Sequence, residues 1–515
     1  MTRLLGGSAT ALALLAASQG ELWWRHVQFL ADDKLEGREA GSAGHRLAAE
    51  YVVRRFREAG LKACGTSGYF QPVPLLQRRI DEERSSLSLM RDGTERRLRL
   101  GEEALITLRG ALSSNPSPVD APAVFVGYGL SIPEFGFDDF AGLDVRGKVA
   151  VSLTGSPSHL PGPIRAHFGS AAERGKALRN AGAAGSISIS NPRQTDVPWE
   201  RTVAARLRPA MAIDQKSDQE AGVALAASVS PKLAESLFEG TGHTFQNLIA
   251  LATQGKPLPR FALPFRVRAT VSGDEQHLHS DNVCGMLPGA TKETVVLSAH
   301  LDHIGVSQPI QGDRINNGAM DNASGVATLI ETARALKGRK SRRSLVFVAV
   351  TGEERGLLGS RYFAGHGVGE MVADINFDMF LPIHPMELLL VLGLEESTLR
   401  APVERVALRL GLRVQTDPEP QRNRFIRSDQ YSFILHGIPA VALKVGYEAG
   451  TAEAALQRDW TRSRYHAPSD DLSQPVDLNA AALFNRVIAE LAIEVANGER
   501  PRWNESSFFR RFARQ

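Results

Sequence analysis

A chain of 515 residues is too long for one ordinary core, so two domains, or one domain with a large insertion, are expected. Apolar residues at 43% and charged residues at 23% give a globular balance and exclude a disordered or fibrous chain. Basic and acidic side chains nearly cancel, leaving a net charge of +3, so charge gives no case for nucleic-acid binding.

The chain opens with Arg3 and a short apolar run from Leu4 to Ala17, followed by small residues at Ala16-Ala17-Ser18. The run is too short to span a bilayer and reads as a secretory signal over residues 1–18, which predicts an exported protein, periplasmic or secreted. No later stretch is long and apolar enough for a membrane span. Cys64 and Cys284 lie far apart without CxxC spacing, which excludes a thiolate zinc site. Two separate buried thiols are the expectation, with pairing in an oxidising compartment as the alternative.

Leu47, Tyr51, Val52, Phe56 and Ala59 share one helical face, and Gly60 is placed to stop that helix. Residues 78–110 are charged and alternate in places, as at Leu87 and Leu89, and are expected to form hairpins. Asn115-Pro-Ser-Pro118 reads as a linker. Beyond it come strands at Ala123–Val126 and Lys148–Leu153, an alanine-rich helix at Ala171–Ala181 and a strand at Ser186–Ser190. This is a small α/β unit of its own over residues 113–273, ended by a chain break at Gly273-Asp274. The flanking segments, 19–112 and 274–515, make the main domain. From 282 the pattern alternates strand and helix. Val295–Leu297 and Leu345–Val350 are runs buried on both faces, Val326 to Leu336 marks a helix, and Leu483 to Val495 a last helix capped by Asp477. The fold class is α/β, a mostly parallel mixed sheet flanked by helices with a smaller α/β insertion. The tail, Phe508–Phe512, reads as a packed or frayed end.

Histidines and carboxylates fall just after the strands, the edge where open parallel sheets build active sites. The first cluster is Ser298-Ala-His-Leu-Asp-His303, where His300 and Asp302 share a face and the carboxylate could hold the second ring nitrogen of a metal-bound imidazole. The second is Gly318-Ala-Met-Asp-Asn-Ala-Ser-Gly325, in which Asp321 precedes a helix start. The third, Thr351 to Gly359, carries adjacent Glu353 and Glu354 after a buried strand, a costly pair unless something positive compensates it. Asp378 and His466 complete the set, the latter in Tyr465-His-Ala-Pro-Ser-Asp470. Each cluster alone reads as ordinary: a solvent-facing pair, a helix cap, a surface loop. Together they supply imidazole and carboxylate without thiolate, which suits zinc in an open catalytic site, and five ligands suit two ions with a shared carboxylate better than one.

These five segments, in this order, resemble the M28 family of metallopeptidases. Leu30 to Gly60 resembles the family's amino-terminal helix region, and 113–273 resembles the protease-associated (PA) domain often inserted in it, through Gly127-Tyr-Gly129, Gly147-Lys-Val149 and Gly182-Ala-Ala-Gly185. The resemblance implies a zinc-peptidase fold, two Zn2+ and a peptide substrate, with His300 and Asp378 on one zinc, Glu354 and His466 on the other, and Asp321 bridging. It implies Glu353 as general base, Asp302 as the partner of His300, and Tyr465 as donor to the oxyanion. One departure is Met320, where the family often has a further Asp. Aminopeptidase activity is the expectation. The alternatives are a carboxypeptidase of the same family using Arg424 and Arg427, a one-zinc glutaminyl cyclase disfavoured by the full ligand set, and a non-catalytic binding protein disfavoured because no ligand or base is missing.

Overall fold

In strand Glu293–His300, Val295, Leu297 and Ala299 bury into one apolar cluster and Val296 into another. Strand Ser344–Val350 alternates the same way, with Leu345, Phe347 and Ala349 on one side and Val346, Val348 and Val350 on the other. Side chains alternate across a strand, so a run apolar at every position has a covered layer on each face. Helices Ala43–Glu58, Ser324–Ala335 and Leu478–Asn497 contribute to the first cluster, and Leu358–His366 and Gln430–Leu435 to the second. The computed structural model describes residues 19–108, 113–192, 198–215 and 223–513. The signal segment expected over 1–18 lies outside them.

The chain divides into two compact units. Unit 1 holds residues 1–73, 279–420 and 424–515, and unit 2 holds 74–278 with 421–423. The central strands of unit 1 run in the order Ser344–Val350, Glu293–His300, Glu370–Asn376, Ala440–Val445, all parallel. Antiparallel neighbours close the two sides, strand Gly273–Leu287 through its residues 283–287 and strand Leu388–Leu392. In unit 2 an eight-stranded sheet has a parallel core of Val119–Phe125, Val149–Leu153, Gly185–Ile189 and Leu225–Val229.

Most expected elements are present. Helix Ala43–Glu58 ends before Gly60, whose φ of 79° is the left-handed conformation that stops a helix. Asp477 caps helix Leu478–Asn497 by accepting from Ala480 N at 2.9 Å. Leu47, placed on the buried face by periodicity, is instead 48% exposed. The tail is packed, with Phe509 fully buried. Among the described residues no helix is long and apolar enough to cross a membrane.

The division of the chain differs from the one read at 113 and 273. It falls at 73/74 and 278/279, inside strands Phe70–Ile80 and Gly273–Leu287. Gly273-Asp274 is thus part of a continuous strand and not a break. The 78–110 segment does form a hairpin, Ser86–Arg91 with Thr94–Arg97, but its strands belong to the sheet of unit 2. Asn115 is no linker residue, since its side chain binds Ser272 and Gly273. A boundary within a strand leaves no Pro/Gly-rich or charged signature to read.

Cys64 and Cys284 are joined in a disulfide with Cα atoms 5.2 Å apart, which corrects the expectation of separate thiols. A sequence separation of 220 residues hid the pair. Strand pairing of Lys62 and Ala63 with Met286 and Gly285 brings the two cysteines together. The bridge closes a loop that contains all of 74–278. Replacing both cysteines with serine should destabilise the protein by about 5 kcal/mol through restored loop entropy. Urea denaturation of unit 1's fluorescence tests this, and an unchanged midpoint would contradict it.

Candidate metal centre

The four parallel strands of unit 1 end at one edge, and polar groups gather there. His300 closes strand Glu293–His300. Glu353 and Glu354 lie just past Ser344–Val350, Asp378 just past Glu370–Asn376, and Lys444 on Ala440–Val445. Asp321 arrives in the single turn Ala319–Ala323 ahead of helix Ser324–Ala335, and His466 in the loop after helix Ala452–Ser463. The two carboxylate oxygens of Asp321 face different histidines. Oδ1 is 3.2 Å from His300 Nε2, and Oδ2 is 3.4 Å from His466 Nε2. His300 Nε2 is also 3.2 Å from Asp378 Oδ1, and His466 Nε2 is 3.3 Å from Glu354 Oε2. The five candidate ligands therefore form two groups that share Asp321.

A carbonyl can only accept, so the 3.0 Å contact between His300 Nδ1 and the Asp302 carbonyl makes Nδ1 a donor and turns Nε2 to the carboxylates. This is the orientation a metal-bound imidazole needs, although the backbone supplies it and not the Asp302 carboxylate. That carboxylate instead accepts from Glu353 N at 3.1 Å and Glu354 N at 3.4 Å, holding the turn that carries both glutamates. Tyr465 packs against His466 with ring centroids 3.9 Å apart.

The electrostatics follow from burial of many charges together. Burial pulls the His300 imidazole down, but the carboxylates of Asp378 and Glu353 and contacts to Asp321 push it well above its ordinary value. His466 also feels burial, and Glu354 and Asp321 outweigh it, raising it to about 9. Burial raises Asp378 and Glu354, yet the neighbouring histidines hold both below the usual carboxylate range. Asp321 is likewise depressed by His303, His300 and His466 against burial and Glu354. Glu353 goes the other way, raised well above its ordinary value by burial and by Glu354, Asp429 and Asp378. Burial holds the Tyr465 phenol well up and therefore protonated. The raised imidazoles of His300 and His466 supply counter-charge to these carboxylates.

Further residues hold this arrangement. The buried carboxylate of Asp470 accepts from Met320 N and Asp321 N, both at 3.0 Å. Asn322 donates to Phe377 O at 3.2 Å and accepts from Met379 N at 3.3 Å, tying the Asp321 turn to the Asp378 segment. Lys444 Nζ donates to Asp378 O at 2.6 Å. The fully buried Arg38 donates to the carbonyls of Leu301, Leu30, Asn317 and Gly318, joining the His300 and Asp321 segments. His303, fully buried beside Glu354, belongs to the same pocket. The sequence reading assigned none of these five residues a role. Asp470, His303 and Asn322 stood inside motifs already singled out and Arg38 inside the segment Leu30 to Gly60, whereas Lys444 carried no signal beyond being a basic residue in an apolar run.

The residues fit a divalent metal. Asp321 Oδ2, Glu354 Oε1 and both ring nitrogens of His303 are buried without a hydrogen-bond partner, although His303 Nδ1 lies within 4 Å of both carboxylate oxygens. Lone pairs that converge without hydrogen bonding need a shared cation. An all-nitrogen-and-oxygen donor set suits zinc.

The raised histidines predict how the metal-free chain responds to pH. A folded-state value of about 9 for His466 lies above its ordinary 6.5, so its contribution is fully present below 6.5 and is lost as pH rises through 9. Asp302 at about 6, Asp429 at about 7 and the strongly raised Glu353 and Asp374 act in the same direction, so the histidines are one part of a common fall in stability with rising pH. Calorimetry of the metal-free chain should show Tm falling between about pH 7 and 9, and added zinc should flatten that slope because the ion displaces the protons. A metal-free profile that is already flat would refute the assignment.

Residues 282–492 match the model of "Peptidase family M28". A probable leucine aminopeptidase of Trichophyton verrucosum is 39% identical over 85 residues, 15% of this chain and 22% of that protein. A probable zinc metalloprotease of Pyrenophora tritici-repentis is 44% identical over 78 residues, 14% of this chain and 18% of that one. The chain thus spans only about a fifth of the length of the curated relatives it matches. Among solved structures, the aminopeptidase from Aneurinibacillus sp. strain AM-1 aligns over 93% of this chain and 95% of its own, with a TM-score of 0.56 and 20% identity. The peptidase M28 precursor from Shewanella amazonensis aligns over 95% and 97%, with a TM-score of 0.50 and 17% identity. These likenesses extend the shared fold to nearly the whole chain. The family match covers the strands and turns that deliver His300, Asp321, Glu354, Asp378 and His466, so it is this part of the chain, residues 282–492, that is similar to peptidase family M28.

Proposed function

We propose that this protein is an exported aminopeptidase that hydrolyses the first peptide bond of its substrate with two zinc ions. The observation that carries the reading is the division of Asp321, with Oδ1 towards His300 and Oδ2 towards His466, each histidine beside one further carboxylate. His300 and Asp378 would hold one ion, Glu354 and His466 the other, and Asp321 both. Bound zinc would act as a Lewis acid on the scissile carbonyl and acidify water. Glu353, held above the ordinary carboxylate range, is more basic than a free carboxylate and can take a proton from that water and return it to the leaving amine. The protonated Tyr465 phenol can donate to the oxyanion.

Several observations support an amino-terminal substrate. The carboxylates of Asp321, Glu353, Glu354 and Asp378, gathered at this edge, favour the ammonium of a peptide's first residue over a carboxylate. Of the two arginines available for a carboxypeptidase, Arg424 is engaged by Asp417 at 2.7 Å and Glu419 at 3.5 Å. The partial relatives named as leucine aminopeptidases point the same way. The Cys64–Cys284 disulfide supports export to an oxidising compartment. The α/β unit at 74–278 is proposed as the protease-associated insertion.

Purified protein should cleave reporter peptides with a free amino terminus and lose that activity in chelator. Release of carboxyl-terminal residues from amino-blocked peptides would instead establish a carboxypeptidase. Glu353→Gln should lower kcat by roughly 10²–10⁴-fold with zinc content unchanged. Near-normal turnover in that variant would remove Glu353 from the base role.

A further inference from the structure

His303 has no place in the ligand scheme above, yet it sits inside the pocket. Its ring is fully buried, and Nδ1 lies 2.8 Å from Glu354 Oε1 and 3.9 Å from Asp321 Oδ2. Neither ring nitrogen makes a hydrogen bond, and neither do Glu354 Oε1 or Asp321 Oδ2. A buried histidine ordinarily satisfies at least one nitrogen, so an orphan Nδ1 facing two orphan carboxylate oxygens calls for a shared partner. One donor atom from each of His303, Asp321 and Glu354 lies within 4.8 Å of the others, the compactness of a coordination sphere. His466 approaches the same two carboxylates from another direction, its ring centroid 6.0 Å from that of His303.

The backbone is shaped to admit this ring. Gly318 has a φ of 61°, and a Cβ there would stand 2.6 Å from the His303 ring carbons. The main chain of His303 is fastened to Arg38, whose carbonyl accepts from His303 N at 3.4 Å while its guanidinium ties down Gly318. The imidazole is thus pinned from behind with Nδ1 towards Glu354.

We infer that His303 is an additional nitrogen ligand of the ion held by Glu354 and His466, which makes the two metal sites unequal. The site at Asp378 then has one imidazole, His300, and the site at Glu354 has two. The nitrogen-richer site binds zinc more tightly and fills first. This inference rests on the two-ion reading of the pocket.

Zinc and cobalt binding to the metal-free full chain tests it by equilibrium dialysis and cobalt absorption. Asparagine can place an N–H near Nδ1 but is a poor zinc ligand, so His303→Asn and His303→Ala separate coordination from hydrogen bonding. Both variants should weaken the tighter of the two ions by about 100-fold and change the cobalt spectrum. The weaker ion should stay as it is in the unaltered protein. Full retention of both affinities in His303→Asn would overturn the inference and leave His303 a positioning residue that hydrogen-bonds Glu354. Retention in His303→Ala would remove it from the site altogether. An unaltered chain that binds one ion only would overturn the two-ion reading, and this inference with it. Cadmium NMR of the unaltered protein with isotope-labelled imidazoles needs no variant to fold. It should show couplings from His300, His303 and His466, and their absence at His303 would also refute the claim.

Discussion

Five carboxylates, from Asp302, Asp321, Glu353, Glu354 and Asp378, crowd into one pocket at the carboxyl edge of the sheet. Taking such charges out of water is unfavourable by several kcal/mol each unless opposite charge or hydrogen bonds compensate. The structure compensates each differently. Asp302 is turned onto two backbone N–H groups and away from the centre. Asp321, Glu354 and Asp378 lean on neighbouring histidines, whereas burial and like charges favour the protonated form of Glu353. The separation of depressed from raised carboxylates is also a separation of roles, since the first kind suits coordination and the second suits proton transfer.

Holding the pocket in this state falls largely to groups outside it. Asp470 fixes the backbone of Asp321 through two amides, Asn322 links that turn to Met379, and Lys444 anchors the carbonyl of Asp378. Arg38 performs a related task at greater electrostatic strain. Burial lowers its guanidinium to about 10, against the pull of Asp302, Asp470, Asp321 and Glu354, and four carbonyls accept from it. A buried arginine so bound serves as a rigid connector and as a positive charge near the carboxylates.

How much of this was legible in the sequence depends on the range of the interaction that fixes each feature. Strands such as Leu345–Val350 and helices such as that around Leu329 are written in local periodicity, and so were their positions. Four of the candidate ligands were legible because they stand directly after a buried strand or before a helix start, and His466 because its motif completes a set of five that in this order resembles one family. Asp302 was placed in the right pocket but on the wrong partner, since residue spacing does not say whether a carboxylate or its own carbonyl reaches the ring. His303 was read only as the end of a motif. Its burial and its contact with Glu354 depend on a turn some fifty residues downstream. The disulfide and the unit boundaries were illegible for the same reason, being set by pairing between residues more than two hundred positions apart.

That long-range pairing explains how the chain accommodates a unit as large as 74–278 without disturbing the site. The segments that leave and re-enter unit 1 are neighbours, Lys62 and Ala63 paired with Met286 and Gly285, and the adjoining cysteines have Cα atoms 5.2 Å apart. Closing a loop grows less favourable only with the logarithm of its length, so once the ends are fixed together a long insertion adds little to the entropy lost on folding. All the carboxylates and histidines of the candidate site, with Lys444, Arg38, Asp470 and Asn322, lie in unit 1. The local geometry of the site can therefore be specified by unit 1 alone.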